Sequence, residues 1–396
     1  MNGELRGRTA ERGLAVGDAA SALQQLDGQG IDEPILLAYH PIARMNPFQA
    51  LLYSRAWRHG IAAVPLHNLD ELDDVAAVAR GAGARQALHL HWTNKILEGS
   101  ADEREARSRL AAFSERLDRF AAGGGSIVWT VHNTLPHDAR MPAMEAALQQ
   151  AIVDRAAVVH VLSANTPAAV GEWFSIPQER VLHVPHPSYV GAYVDTISPE
   201  AARWELGVPA GDTVYALLGA IKPYKGLDQM LDAFDAAIDR GRGTRRLIVA
   251  GGPSRDPEVD AFLERCLLHP FVSLHARKIP GDDMQLFLRA ADIAVMPYLR
   301  SLNSGVLMLA LSFGLPVVAP AVGAMAETIT PRIGRTFVPG DRESLTDALL
   351  AADALRTPEA RAAALDVARE HDPHRLSERF SRELVRRLRV PRPAPA

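Results

Sequence analysis

Thr213-Val-Tyr-Ala-Leu-Leu-Gly-Ala-Ile-Lys-Pro-Tyr-Lys-Gly226 joins an apolar run to a loop that holds two lysines between glycines. A helical pattern follows at 227–238. An apolar run without polar alternation suits a strand covered on both faces, and strand, loop and helix in that order begin a parallel sheet. The order recurs downstream, with strands at 246–250, 272–276, 293–297 and 316–320 separated by helices at 256–267, 282–290 and 305–313.

Upstream the same alternation appears. Strands are predicted at 35–39, 62–66, 87–91, 126–132, 157–162 and 181–185, with helices at 47–59, 70–80, 102–121, 141–154 and 167–174 between them. The stretch 186–212 reads as irregular and rich in Pro and Gly. Three helical stretches, 342–352, 358–369 and 374–388, close the chain. The fold class is therefore α/β, with two doubly wound, Rossmann-like domains facing a cleft at the carboxyl ends of their strands. The expected boundaries are a flexible N-terminal extension at 1–33, an N-terminal domain at 34–195 and a C-terminal domain at 196–373. A terminal helix with a frayed tail fills 374–396 and could pack back on the first domain.

Composition narrows the function. At 396 residues, 47% hydrophobic and 23% charged, the chain is an ordinary globular one of two or three domains. A net charge of -4 gives no basic field for nucleic acid. The one cysteine excludes an intramolecular disulfide and fits a cytoplasmic setting. No signal peptide or spanning segment is read, which leaves peripheral contact at the inner face of a membrane open, for instance through the Arg-rich stretches 103–119 and 375–389. No serine elbow, Walker loop, zinc helix or informative carboxylate pair occurs, and no metal is expected.

Only four of the 43 basic residues are lysines, and two of them, Lys222 and Lys225, lie three apart in the opening loop. Gly219 and Gly226 let the backbone turn and approach a ligand there. A solvated loop and a phosphate site both fit; the place at a strand's carboxyl end favours phosphate. Arg300-Ser-Leu-Asn-Ser-Gly-Val306 then starts a second helix whose first turn carries little side chain. Asn303 and Ser304 are natural caps, and Gly305 leaves the amides open to an anion.

These stretches resemble the C-terminal domain of GT-B glycosyltransferases, closest to the family 4 type. They are G-A-I-K-P-Y-K-G-L at 219–227, L-I-V-A-G-G at 247–252, A-D-I-A-V-M-P-Y at 291–298, S-G-V-L-M-L-A-L-S-F-G-L-P-V-V-A-P at 304–320, V-G-A-M-A-E-T-I at 322–329 and F-V-P-G-D at 337–341. In the first half N-P at 46–47, H-L-H-W at 89–92 and T-V-H-N at 130–133 look similar to a subset of these enzymes. The resemblance implies a nucleotide-sugar donor, UDP- or GDP-linked, as substrate and no cofactor. It gives Lys225 the diphosphate role, with Lys222 as second charge because the usual arginine is Ala220. Amides of Ser304, Gly305 and Val306 would meet the distal phosphate, Glu327 matches the glutamate of a glycine-then-glutamate loop, and Arg277 and Lys278 lie where relatives approach the base. One departure stands out: the family's two glutamates, eight positions apart, are Ser301 and Leu309 here.

On the other side, His132 ends a strand and could orient a donor sugar or acceptor hydroxyl, or move a proton; a loop carbonyl is the plainer partner. His137 in the same loop is the weaker candidate. Asn133 follows His132. His89 and His91 share one strand face and read as a packed or hydrogen-bonded pair rather than a metal site. Trp92 either stacks on a sugar or fills the core. Arg44 could face an acceptor or phosphate, while Asn46 caps a helix that Pro47 opens. His186 and Tyr189 flank the expected hinge.

The expectation is thus a metal-independent glycosyltransferase acting on a saccharide, lipid-linked or small-molecule acceptor, with retention by family type; His132, Lys222 and Lys225 carry the chemistry. An inverting, glucuronosyltransferase-like enzyme with His132 as base is one alternative. A non-catalytic nucleotide-sugar-binding subunit, prompted by the missing glutamates, is the other.

Overall fold

The computed structural model describes residues 2–31, 33–136 and 139–389. His137 and the tail expected to fray at 390–396 lie outside the described residues. The chain divides into two compact units, one comprising residues 1–185 and 373–396, the other 186–372. The change of unit therefore falls ten residues before the expected boundary at 195.

In the first unit, strands β1 (Ile35–His40), β2 (Ile61–Pro65), β3 (Arg85–Leu90), β4 (Ser126–Val131), β5 (Ala156–Val161) and β6 (Val181–His183) form one parallel sheet. Their order is β2-β1-β3-β4-β5-β6. The second unit holds β7 (Thr213–Leu218), β8 (Arg245–Ala250), β9 (Val272–His275), β10 (Ile293–Val295), β11 (Val317–Pro320) and β12 (Gly334–Phe337), also parallel, in the order β12-β11-β10-β7-β8-β9. Every residue of β7 is buried, which is why the strand reads as an unbroken apolar run. Strand order reverses between β1 and β3 in one unit and between β7 and β10 in the other. Crevices for ligands open at such reversals.

The N-terminal stretch corrects the sequence reading. It is not a flexible extension but a helix, Asn2–Asp27. Ala15, Ala19, Leu23 and Leu26 bury one of its faces, and the helix packs on β2 and on the helix Leu72–Gly81. A stripe half made of alanine carries little hydropathy, so the surrounding charges hide it. The stretch 186–212 is also less irregular than expected, since Pro199–Glu205 is helical with Ser198 capping Ala201 N. The glycine-then-glutamate segment that ends at Glu327, read as a loop, lies within the helix Gly323–Thr328.

The closing helix Pro373–Arg389 belongs to the first unit. Its Leu376, Phe380, Leu384 and Leu388 join Leu37, Phe48, Val128, Val158 and Val184 in one core cluster. Two of its arginines cap the short edge strand: Arg379 donates to His183 O at 3.0 Å and Arg387 to Val181 O at 2.7 Å. Those charges are spent on backbone rather than left as a uniformly solvated face. No helix among the described residues is long and apolar enough to cross a membrane.

Candidate functional site

The second unit gathers its loops where β7 meets β10. Gly219 follows β7 with φ +87°, and Gly226 has φ +63° with no room for a side chain, because a Cβ there would lie 2.3 Å from Pro297 O. Both positions need the left-handed backbone that only glycine adopts without strain. Between them Pro223–Lys225 makes one 3₁₀ turn with Lys222 as its N-cap residue.

That turn folds Lys225 inward. The side chain is 3% exposed, its Nζ donates to Leu218 O at 3.2 Å, and it lies 5.3 Å from the Tyr298 ring centroid. Burial, and then the charge of Lys222, lower its pKa to about 7. An ammonium so stripped of water is a strong receptor for an incoming anion. Lys222 itself is half-buried at the loop's mouth.

The helix Gly305–Ser312 supplies the second wall. Ser304 caps it, accepting from Leu307 N at 3.2 Å, and its hydroxyl donates to Met296 Sδ at 3.4 Å. A Cβ built on Gly219 would lie 3.3 Å from Lys225 Nζ and 3.5 Å from Val306 Cγ2. The lysine, the glycine and the first turn of the helix therefore meet at one point. A Cβ on Gly305 would stand 3.0 Å from the Tyr189 hydroxyl and 3.7 Å from His186 Nε2. His186 is the first residue of the second unit and Tyr189 follows three residues later, so both stand at the change of unit and frame the helix start. His186 Nδ1 donates to Pro187 O at 2.7 Å, and burial brings its pKa down to about 4, so the ring is neutral at physiological pH.

Other candidates sit at this rim. Arg277 and Lys278 are exposed after β9, and Arg277 pairs with Asp283 at 3.4 Å. Ile221 N donates to Gly252 O at 2.9 Å, and a Cβ on Gly252 would be 3.7 Å from Lys278 N, so the β8 and β9 loops adjoin the lysine loop. Glu327 is exposed on the helix Gly323–Thr328, whose start docks on the 301–303 turn through Ala324 N to Leu302 O at 3.0 Å. Asn303 is half-buried, and its carbonyl accepts from Ser301 Oγ at 2.9 Å. Leu309 is buried in the helix, so that position offers no hydroxyl-binding group.

The first unit has a polar feature of its own. His89 on β3, His91 just past its end, Thr130 on β4 and His160 on β5 are all at most 1% exposed, and the 9% exposed Tyr53 reaches them from the helix Phe48–Tyr53. Tyr53 Oη is 2.7 Å from both His89 Nδ1 and His91 Nε2. His89 Nε2 is 2.7 Å from Thr130 Oγ1, which is 2.9 Å from His160 Nδ1. His160 Nε2 donates to Val184 O at 2.9 Å, and His91 Nδ1 is 3.1 Å from His132 Nε2. Burial depresses the pKa of His89 and His91 well below the usual imidazole value.

His132 is half-buried just past β4. Trp92 stacks on its ring at 4.1 Å and 16°, and Phe48 meets it edge-on at 5.1 Å. Asn133 beside it is half-buried. Asn46 Oδ1 accepts from Phe48 N at 3.0 Å, which starts the helix bearing Tyr53. Arg44 is exposed, with Nη2 3.5 Å from His67 Nδ1. Among the described residues no three His, Cys, Asp or Glu side chains gather as a metal site. Sequence reasoning missed Tyr53 and Tyr298. Neither neighbours its partners in sequence, and only the sheet order brings them together.

Residues 212–352 match the family described as Glycosyl transferases group 1. That part of the chain is a group 1 glycosyl transferase domain. A D-inositol 3-phosphate glycosyltransferase of Saccharomonospora viridis is 38% identical over 197 residues, covering 46% of this chain and 43% of the relative. A GDP-mannose:glycolipid 4-beta-D-mannosyltransferase of Xanthomonas campestris is 28% identical over 252 residues, covering 62% and 64%. The chain thus spans roughly half the length of these curated relatives. Among solved structures, sucrose-phosphate synthase from Thermosynechococcus elongatus superposes with TM-score 0.65 at 16% identity over 90% of this chain and 98% of that one. Anabaena HepE with UDP-glucose gives 0.64 at 13%, over 89% and 99%. The fold is the GT-B type of α/β architecture.

Proposed function

We propose that this chain is a metal-independent hexosyltransferase. It moves a sugar from a UDP- or GDP-linked donor to a hydroxyl of a saccharide, lipid-linked or small-molecule acceptor. The observation that carries this is the meeting of Lys225 Nζ, Gly219 and Val306 at the reversal of the second sheet. A diphosphate leaving group gathers negative charge as the glycosidic bond breaks. A desolvated ammonium and bare helix amides, held in place beforehand, stabilise that charge. Two similar proteins, one named for GDP-mannose and a glycolipid and one solved with UDP-glucose, support the class of donor. The reading places the protein in the cytoplasm, where such donors occur, with peripheral membrane contact if the acceptor is lipid-linked.

Two stereochemical courses fit. With retention, the course that the family resemblance implies, the departing phosphate takes the acceptor's proton and no protein base is needed. With inversion, the acceptor oxygen attacks the anomeric carbon, the phosphate leaves with the bonding pair, and His132 takes the proton. The hydrogen-bonded chain behind His132 favours this second reading. A thermal-shift panel of UDP, GDP, TDP and ADP sugars, followed by turnover with a set of acceptors, tests the proposal. Stabilisation by a sugar nucleotide with product formation is the expected result. Binding without turnover for every acceptor would establish the non-catalytic subunit instead, and product NMR separates the two courses.

A further inference from the structure

We propose that the carbonyl of Val184 sets the tautomer of His132 through a one-way chain of buried hydrogen bonds, with Tyr53, Thr130 and three histidines as positioning residues. The argument starts at the far end. A carbonyl oxygen only accepts, so His160 must carry its hydrogen on Nε2, and in a neutral ring its Nδ1 is then an acceptor. Thr130 has one hydroxyl hydrogen and gives it to His160 Nδ1, so its oxygen accepts from His89 Nε2. His89 Nδ1 is left as an acceptor and takes the Tyr53 hydrogen. The Tyr53 oxygen accepts from His91 Nε2, and His91 Nδ1 accepts from His132 Nε2. In each of these links one side donates and the other accepts, so the choice at Val184 propagates from ring to ring.

Reversing the chain while it stays neutral would aim a lone pair of His160 at the lone pairs of Val184 O in a water-free interior. Burying two acceptors against each other is a defect that folded proteins avoid. Consecutive hydrogen bonds also polarise one another, which reinforces a single direction. The packing leaves water little access as an alternative partner: Phe380 of the closing helix stacks on His89 at 5.6 Å and 15° and leans at 52° against His160 at 5.0 Å, and both histidines are fully buried. His132 is thereby an Nε2–H tautomer whose accepting atom is Nδ1, and Trp92 holds the ring's plane. An acceptor hydroxyl that meets this ring donates to Nδ1, whether the ring only orients it or takes its proton. This last step rests on the proposed transferase activity; the tautomer does not.

The test is ¹⁵N-histidine NMR of the full chain. The wild-type protein is expected to show His132 as the pure Nε2–H tautomer between pH 7 and 8, with Nδ1 at the shift of an unprotonated nitrogen. Thr130→Ser keeps the hydroxyl, so it should keep this signature and turnover within about twofold. Thr130→Val keeps the shape but cuts the chain; it should give mixed tautomers at His132 and about tenfold lower kcat, with KM for the donor unchanged. Tyr53→Phe cuts at a second place, and the wild-type spectrum alone decides the matter should either variant fold poorly. An Nδ1–H ring at His132 in the wild type overturns the proposal, as does an unaltered signature in a folded Thr130→Val. A pure Nε2–H signature in a protein that turns over no donor would leave the chain standing and sink the transferase reading.

Discussion

Lys225 Nζ sits 5.3 Å from the centroid of the Tyr298 ring and donates to Leu218 O, with no carboxylate paired to it among the described residues. The buried ammonium rests against a ring face and a carbonyl, and its pKa falls to about 7 from the usual 10.5. In the unfolded chain it regains the ordinary value. Between those two values the unfolded state holds one more proton, so Lys225 makes the free protein gain stability as pH rises from about 7 towards 10.5. Its full cost is present below about 7, with a ceiling of about 5 kcal/mol from 1.36 kcal/mol per pKa unit. Lys225→Met is expected to raise the urea midpoint of the ligand-free protein more at pH 6 than at pH 10. An equal gain at both would mean that the ammonium is not desolvated.

Nucleotide binding has the opposite dependence. A bound diphosphate favours the charged lysine, so binding above pH 7 must take up a proton. The affinity for UDP or GDP, whichever binds, should fall up to tenfold per pH unit between pH 7.5 and 9. Calorimetry in buffers of different ionisation enthalpy should count close to one proton taken up at pH 8.5. Lys225→Met should abolish that uptake and weaken binding by at least tenfold. Affinity that ignores pH across this range would remove Lys225 from the diphosphate contacts.

Gly219→Ala probes the meeting point directly. The new methyl would be held at φ +87°, which costs about 1–2 kcal/mol, and would stand 3.3 Å from Lys225 Nζ and 3.5 Å from Val306 Cγ2. Thermal denaturation should show a loss of that size, with nucleotide affinity reduced well beyond it. If affinity is kept while stability drops, the diphosphate lies elsewhere.

Ser304→Ala removes the hydroxyl that accepts from Leu307 N. Loss of such a cap costs about 1 kcal/mol. The same change frays the first turn of the helix Gly305–Ser312, so weakened nucleotide binding should accompany the stability loss. Calorimetric titration of the variant at constant pH measures both.

Both sheets were legible in the sequence because parallel strands buried on two faces read as plain apolar runs with helical patterns between them. Lys222 and Lys225 stood out because lysine is rare in this chain and because the loop follows such a run. The Asn2–Asp27 helix escaped because half of its buried face is alanine. β12 escaped because Gly334–Phe337 is four residues with polar Arg335 and Thr336 in the middle. His89 and His91 were read as a packed or hydrogen-bonded pair, and their rings do stack at 4.3 Å; the Tyr53 hydroxyl that bonds to each was not legible. A chain of contacts that crosses β3, β4 and β5 has no period in the sequence. It depends on parallel register, which sets Thr130 beside His160 and His89 beside Val128.

Phe380 links the closing helix to that polar chain, and removing it should have two separable effects. The side chain is fully buried among Leu37, Val128, Val158 and Val184, so Phe380→Ala should cost about 3–5 kcal/mol in chemical denaturation. The cavity would open next to His89 and His160, which Phe380 now covers. Water entering there gives the buried histidines alternative partners and weakens the desolvation that depresses His89. The His89 pKa should therefore rise towards 6.5 in the variant, followed by ¹⁵N shifts over a pH titration. Phe380→Leu keeps the site apolar and should leave that pKa low at a smaller cost in stability. A His89 titration identical in all three proteins would show that the closing helix contributes packing alone and does not keep the histidine chain dry.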